Sequence, residues 1–347
     1  MRYPEFLDKN GTIGFVAPSF GCATEPYLSA FKNAQKKFTE LGYSLHLGPN
    51  CYEDKGIGIS NTPFLCGQEL TQNYSDSNSD VLISCGGGEM MCEILNYVDF
   101  ELINNSKAKW YMGYSDNTNF TFLLTTLCDT ASIYGPCASA FGMEPWHPAL
   151  NDAFDVLTGK KLSFLGYNGW EMKGLKDENN PLIPYNITEK NVIHKYKAGS
   201  KVETDNDIMI SGRLLGGCLD CLSNLVGTKF DKVNEFNKRY SDDGILWYLE
   251  ACDLNNMSIR RAMWQLKNAG WFDNCSGFII GRPYIYGEDF MGLSHYDAVV
   301  DIISDFNVPV IMDADIGHHP PMIPIVCGSM ATLKTNGNNY IINMDLK

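Results

Sequence analysis

The 347-residue chain is 44% hydrophobic and 20% charged, proportions of a globular protein long enough for two cores and well outside the range of disordered chains. Its 27 basic and 41 acidic side chains leave a net charge of -14, which argues against binding along a nucleic-acid backbone or an anionic membrane surface. It lacks an N-terminal apolar leader and any apolar run of about 18 residues, and its 12 cysteines are scattered in the manner of reduced thiols, so a cytoplasmic protein is expected.

Apolar runs and helical spacings predict strands over 12–17, 43–47, 81–84 and 110–112, alternating with helices over 27–41, 64–74 and 90–98. That rhythm implies a parallel sheet covered on both faces, with function at the carboxyl ends of its strands. Ser19, the turn Gly86-Gly87-Gly88 and Ser115 all fall there. The segment Trp110 to Phe120 reads as a strand, a tight turn tipped by Ser115, and a helix that Asp116 and Asn117 help to start. A nucleophile at Ser115 would lie near a positive helix end, with the Asp116 N–H available to a substrate oxyanion. The same residues also fit an ordinary strand-to-helix turn capped by Ser and Asp.

The glycine run allows two readings as well. It lacks the third glycine of a dinucleotide fingerprint, so no nucleotide cofactor is expected. In a hydrolase, an N–H of Gly86 or Gly87 would complete an oxyanion hole with that of Asp116; otherwise the run is a tight turn without a ligand.

Residues 151–207 are polar and read as a connecting region. Trp146, Trp170 and Tyr185 lie in or beside it, where a ring such as that of Trp170 would either stack on a substrate base or side chain, or pack between domains. Beyond it, 212–225 reads as a glycine turn into a helix, 245–249, 277–280 and 308–312 as strands, and 258–269 as a helix opened by Ser258. The expected architecture is α/β: an N-terminal flavodoxin-like parallel-sheet domain over 1–150, the connector, and a C-terminal mixed α+β domain with a β-rich core over 208–347.

A serine nucleophile needs a base, and the base an orienting carboxylate. Glu250 closes an apolar strand, where a charge is costly unless paired or in a cleft, and His318 and His319 stand in a proline-stiffened loop. Taken singly, each of these also reads as a solvated surface residue. The one Cys-x-x-Cys, Cys218 to Cys221, has no second pair at metal spacing, so its thiols are expected to face a core and no metal site is expected.

Several ordered motifs carry a family resemblance. They are Gly11 to Ser19, Ser84-Cys85-Gly86-Gly87-Gly88, Gly113-Tyr114-Ser115-Asp116, Tyr134-Gly135-Pro136, Gly212 to Gly217, Leu249-Glu250, and Gly317-His318 followed by Gly328. Over nearly its whole length the chain resembles the S66 serine peptidases, the group of the LD-carboxypeptidases and the microcin C immunity proteins. The resemblance implies Ser115 as nucleophile, His318 as general base in preference to His319, Glu250 as its orienting acid, no cofactor, and a homodimer. LD-carboxypeptidases typically carry Arg-Gly-Gly-Tyr-Gly where this chain has Cys85-Gly86-Gly87-Gly88-Glu89. The segments 83–88, 94–100 and 321–323 resemble the immunity-protein branch instead. The expected activity is therefore amide hydrolysis of an aminoacyl-nucleotide or peptide-nucleotide substrate, with murein tetrapeptide cleavage as the alternative and a noncatalytic nucleotide- or peptide-binding module as a more distant one.

Overall fold

The computed structural model describes residues 1–347, which form two compact units: 1–161 with 173–186, and 162–172 with 187–347. In the first unit, five parallel strands lie in the order Ser132–Tyr134, Trp110–Gly113, Val81–Ser84, Thr12–Val16, Ser44–Leu47. Strands Val81–Ser84 and Trp110–Gly113 are buried at every position, as expected of parallel strands covered on both faces. Helix Tyr27–Glu40 turns Ala30, Phe31, Ala34 and Phe38 inward, and its two phenylalanine rings meet Phe15 of the first strand. Helix Pro63–Ser75 starts with Pro63 in its first turn and Thr62 accepting the Leu65 N–H.

Helix Thr118–Thr126, directly behind Ser115, is buried on every side despite its four threonines. Thr121, Thr125 and Thr126 return their hydroxyls to the carbonyls of Asn117, Thr121 and Phe122, so the polar groups enter the core satisfied.

The second unit holds a nine-stranded sheet in the order Ser200–Val202, His194–Lys197, Pro309–Ala314, Cys275–Gly281, Ile245–Glu250, Met209–Cys218, Met330–Asn336, Asn339–Asp345, Ser163–Leu165. Its four central strands are parallel and its flanks antiparallel. Residues 151–207 are shared between the units: 151–161 and 173–186 belong to the first, whereas Ser163–Leu165 and His194–Lys197 join the sheet of the second, beside Asn339–Asp345 and Pro309–Ala314.

Three local expectations are corrected. Residues 90–98 form a 3-10 helix, Met91–Tyr97, in place of an α-helix. Gly212, Gly216 and Gly217 lie inside a long strand, Met209–Cys218, and not in a turn; a side chain on Gly216 would strike the Tyr248 backbone of the neighbouring strand. The helix expected to open at Ser258 begins at Asn256, because the Asn255 side chain accepts the Ser258 N–H and caps it. No helix is long and apolar enough to cross a membrane.

Candidate active site

In the first unit, strand Trp110–Gly113 delivers Ser115 to the start of a 3-10 turn, Ser115–Asn117, that leads into the buried helix. Ser115 has φ of 63°, a left-handed conformation uncommon for a residue with a side chain, as in a strained nucleophile elbow. Gly113 is required two residues earlier, since a Cβ there would lie 2.8 Å from the Asn117 Cγ. Asn117 is fully buried; it accepts from the Tyr111 hydroxyl and donates to the carbonyls of Gly86 (2.9 Å) and Tyr114 (3.1 Å). The Ser115 N–H donates to the Tyr134 hydroxyl at 3.2 Å.

Asp116 fastens three loops together. Its Oδ2 accepts the Ser19 hydroxyl (2.5 Å) and the Met91 N–H (2.9 Å), while Oδ1 accepts the Asn119 amide (3.0 Å). The Gly86-Gly87-Gly88 turn is held alongside: Ser84 Oγ and Asn117 Nδ2 donate to the Gly86 carbonyl, and the Phe20 N–H to the Gly87 carbonyl at 2.7 Å. A Cβ on Gly87 would stand 3.3 Å from the Ser115 Cβ and 3.4 Å from its Oγ, so the bare glycine backbone faces the serine. Ser115, Asp116, Gly86 and Gly87 are thus brought together within this unit. The clamping role of the Asp116 side chain was not visible in the sequence, because Ser19 is 97 positions away.

In the second unit, Glu250 is the last residue of strand Ile245–Glu250 and wholly buried, and its Oε2 lies 2.8 Å from the His318 Nδ1. Gly317 has φ of 102°, and a Cβ on it would sit 2.7 Å from the Glu250 Oε2. The glycine therefore lets the histidine loop fold over the carboxylate. Burial alone would lower the His318 pKa, but the Glu250 charge and the ring's hydrogen bonds to Cys252 and Glu250 outweigh it and hold the imidazole well above its usual range. Cys252, two residues beyond Glu250, is a neighbour the sequence had not suggested.

The strand and loop before His318 are anchored at two buried carboxylates. Asp313, itself at φ of 64°, accepts from Tyr296 and meets His194 at 2.7 Å and His295 at 3.4 Å. Burial pushes its pKa up, yet the hydrogen bonds from His194, His295 and Tyr296 prevail and bring it down to about 2. Asp315 pairs with Arg282 and accepts the Tyr167 N–H at 2.8 Å, although burial outweighs the arginine and raises its pKa.

His319 is buried, with Nδ1 3.0 Å from the Glu171 carbonyl and Nε2 3.2 Å from that of Tyr284. Burial, backed by the charges of Arg282 and His318, lowers its pKa against the pull of those carbonyls, and the neutral ring donates to only one of them. Trp170 is 4% exposed, edge-on to Tyr286 and His319 with the Arg282 guanidinium over it. Cys218 and Cys221 are both buried.

Two family models match the chain: the LD-carboxypeptidase N-terminal domain over residues 13–135 and the LD-carboxypeptidase C-terminal domain over 211–333, both of peptidase group S66. The chain is 24% identical over 351 residues to a Bacillus subtilis protein named "Probable murein peptide carboxypeptidase", covering 98% of this chain and 93% of the relative. It is 23% identical over 285 residues to the Escherichia coli microcin C7 self-immunity protein MccF, covering 79% and 77%. Among solved structures, an MccF-like protein from Bacillus anthracis superposes with a TM-score of 0.80 at 22% identity, covering 99% of this chain and 100% of that one. MccF in complex with aspartyl sulfamoyl adenosine gives 0.79 at 20% identity, with both chains fully covered.

Proposed function

The chain belongs to the S66 peptidase family, and on that premise we propose that this serine peptidase hydrolyses the amide bond of aminoacyl-nucleotide or peptide-nucleotide substrates with Ser115, His318 and Glu250. The observation that carries the proposal is the bond between the buried Glu250 carboxylate and His318 Nδ1, the arrangement that orients a histidine base. Ser115 attacks the carbonyl; His318 Nε2 takes its proton and returns it to the leaving nitrogen. Glu250 fixes the tautomer and stabilises the imidazolium. The N–H groups of Gly87 and Asp116 are assigned to the developing oxyanion, in keeping with the bare glycine that faces Ser115. Water then resolves the acyl-enzyme by the same route.

The nucleotide class rests on the absence of the arginine-bearing turn at 85–89 and on the likeness to MccF, a structure of which holds aspartyl sulfamoyl adenosine. Assaying the purified protein against that compound and against a murein tetrapeptide separates the two branches. Release of aspartate without tetrapeptide cleavage is expected; the reverse pattern would move the protein to the murein branch. A cytoplasmic homodimer completes the proposal, checked by light scattering and cell fractionation.

A further inference from the structure

Four rings of the second unit stand in an unbroken row. Tyr286 meets Trp170 at 5.0 Å between centroids, Trp170 meets His319 at 5.0 Å, and His319 lies nearly parallel to Tyr284 at 5.3 Å and 15°. Trp170 and His319 are buried, whereas Tyr284 at the end of the row is 60% exposed. Despite that exposure it is held firmly. Its N–H donates to the Ala251 carbonyl at 3.1 Å, its own carbonyl lies 3.2 Å from His319 Nε2, and its ring rests on the imidazole. Ala251 directly follows Glu250, and His319 directly follows His318, so both supports adjoin the Glu250–His318 pair.

A large, mostly exposed ring fixed by backbone bonds and backed by a second ring loses little freedom when a flat group settles on it. We infer that Tyr284 is a specificity residue, a stacking plate for the planar group of the substrate, which on the function proposed above is the nucleobase. Trp170 then acts from behind, as the buried support of His319, and not as the surface that meets the base.

The test uses the full-length Ser115→Ala protein and two probes, adenosine monophosphate and ribose 5-phosphate, which lacks the base, with affinities measured by calorimetry. The base is expected to improve binding at least tenfold, and adding Tyr284→Ala to narrow that gap by roughly tenfold, whereas Tyr284→Phe and Tyr284→Trp keep it. Should the alanine variant melt early, Tyr284→Leu, which keeps bulk without a π face, decides by the same gap. Turnover of aspartyl sulfamoyl adenosine by the Ser115 enzyme, measured in parallel, keeps the outcomes apart. Turnover with a gap unmoved by Tyr284→Ala overturns the plate alone. No turnover, with equal affinities for the two probes, overturns the nucleotide substrate and the plate together.

Discussion

Glu250→Gln tests the centre of the mechanism without changing side-chain volume. The glutamine occupies the same buried space under Gly317, but it is neutral and can turn an NH2 group toward His318 Nδ1. Facing a donor, Nδ1 becomes the acceptor and the ring proton moves to Nε2, the nitrogen that has to accept the serine proton. A wrong tautomer of this kind costs about 10⁴-fold in kcat in a Ser-His-Asp enzyme, or about 5.5 kcal/mol of barrier. The pH profile supplies a second, independent readout. The Glu250 charge is the leading influence that raises the His318 pKa, so in the parent enzyme kcat/KM should climb with pH until a pKa above the usual imidazole range is passed. In the variant the residual activity should reach its plateau at lower pH. The stability linkage has the matching sign: a raised His318 pKa contributes stability below about pH 6.5, lost as pH rises through the folded value, and the variant lacks that contribution. Initial rates from pH 5 to 10 with folded, monodisperse protein provide both readouts. More than about a tenth of parent activity, or an unmoved acidic limb, would refute the role given to Glu250.

Ser115→Ala should lower turnover on the order of a million-fold while melting like the parent, since the mutation removes only an oxygen; several per cent of residual activity would sink the nucleophile. His318→Ala should cost about as much, and His319→Ala far less in kcat, because His319 bonds only to backbone carbonyls and stacks on Tyr284; the single-turnover rates of the two variants decide this. Asp116→Ala should destabilise the fold by about 2–4 kcal/mol in urea, because the Ser19 hydroxyl and the Met91 N–H each lose a buried acceptor. Asp313, with its pKa at about 2, should contribute roughly 2 kcal/mol of stability above pH 4 that is lost as the pH falls toward 2. Asp313→Asn should flatten that acid limb in denaturant titrations, and an unchanged limb would rule the carboxylate out as its source.

Much of the first unit was legible because its strands are apolar at every position, as at Val81–Ser84, and because helix Tyr27–Glu40 repeats its buried residues at helical spacing. The hairpin of Met330–Asn336 and Asn339–Asp345 carries its own signal: alternating burial along both strands, and Gly337-Asn338 as the two-residue turn, where Gly337 has φ of 58°. The Gly212–Gly217 region misled for the opposite reason, since turn-forming residues there serve the close approach of two strands. Within the site, the serine turn and the strand-end carboxylate are local patterns and could be read. The Asp116 clamp, the Cys252 contact with His318 and the Tyr284 row depend on partners distant in sequence, and no spacing rule reaches them.

Neither unit is a continuous stretch of chain. Residues 162–172 go to the second unit, where Ser163–Leu165 adds an edge strand beside Asn339–Asp345, and residues 173–186 return to the first, where the Leu182 carbonyl accepts the Glu144 N–H at 2.8 Å. Recombination with a relative therefore has three seams, after residues 161, 172 and 186. A chimera joined at the first seam alone inherits an edge strand matched to its sheet but a foreign return segment against Glu144. Exchanging the Ser115-bearing unit between family members while keeping its fold requires carrying 173–186 with it, so crossovers that look conservative in a linear alignment should be selected against.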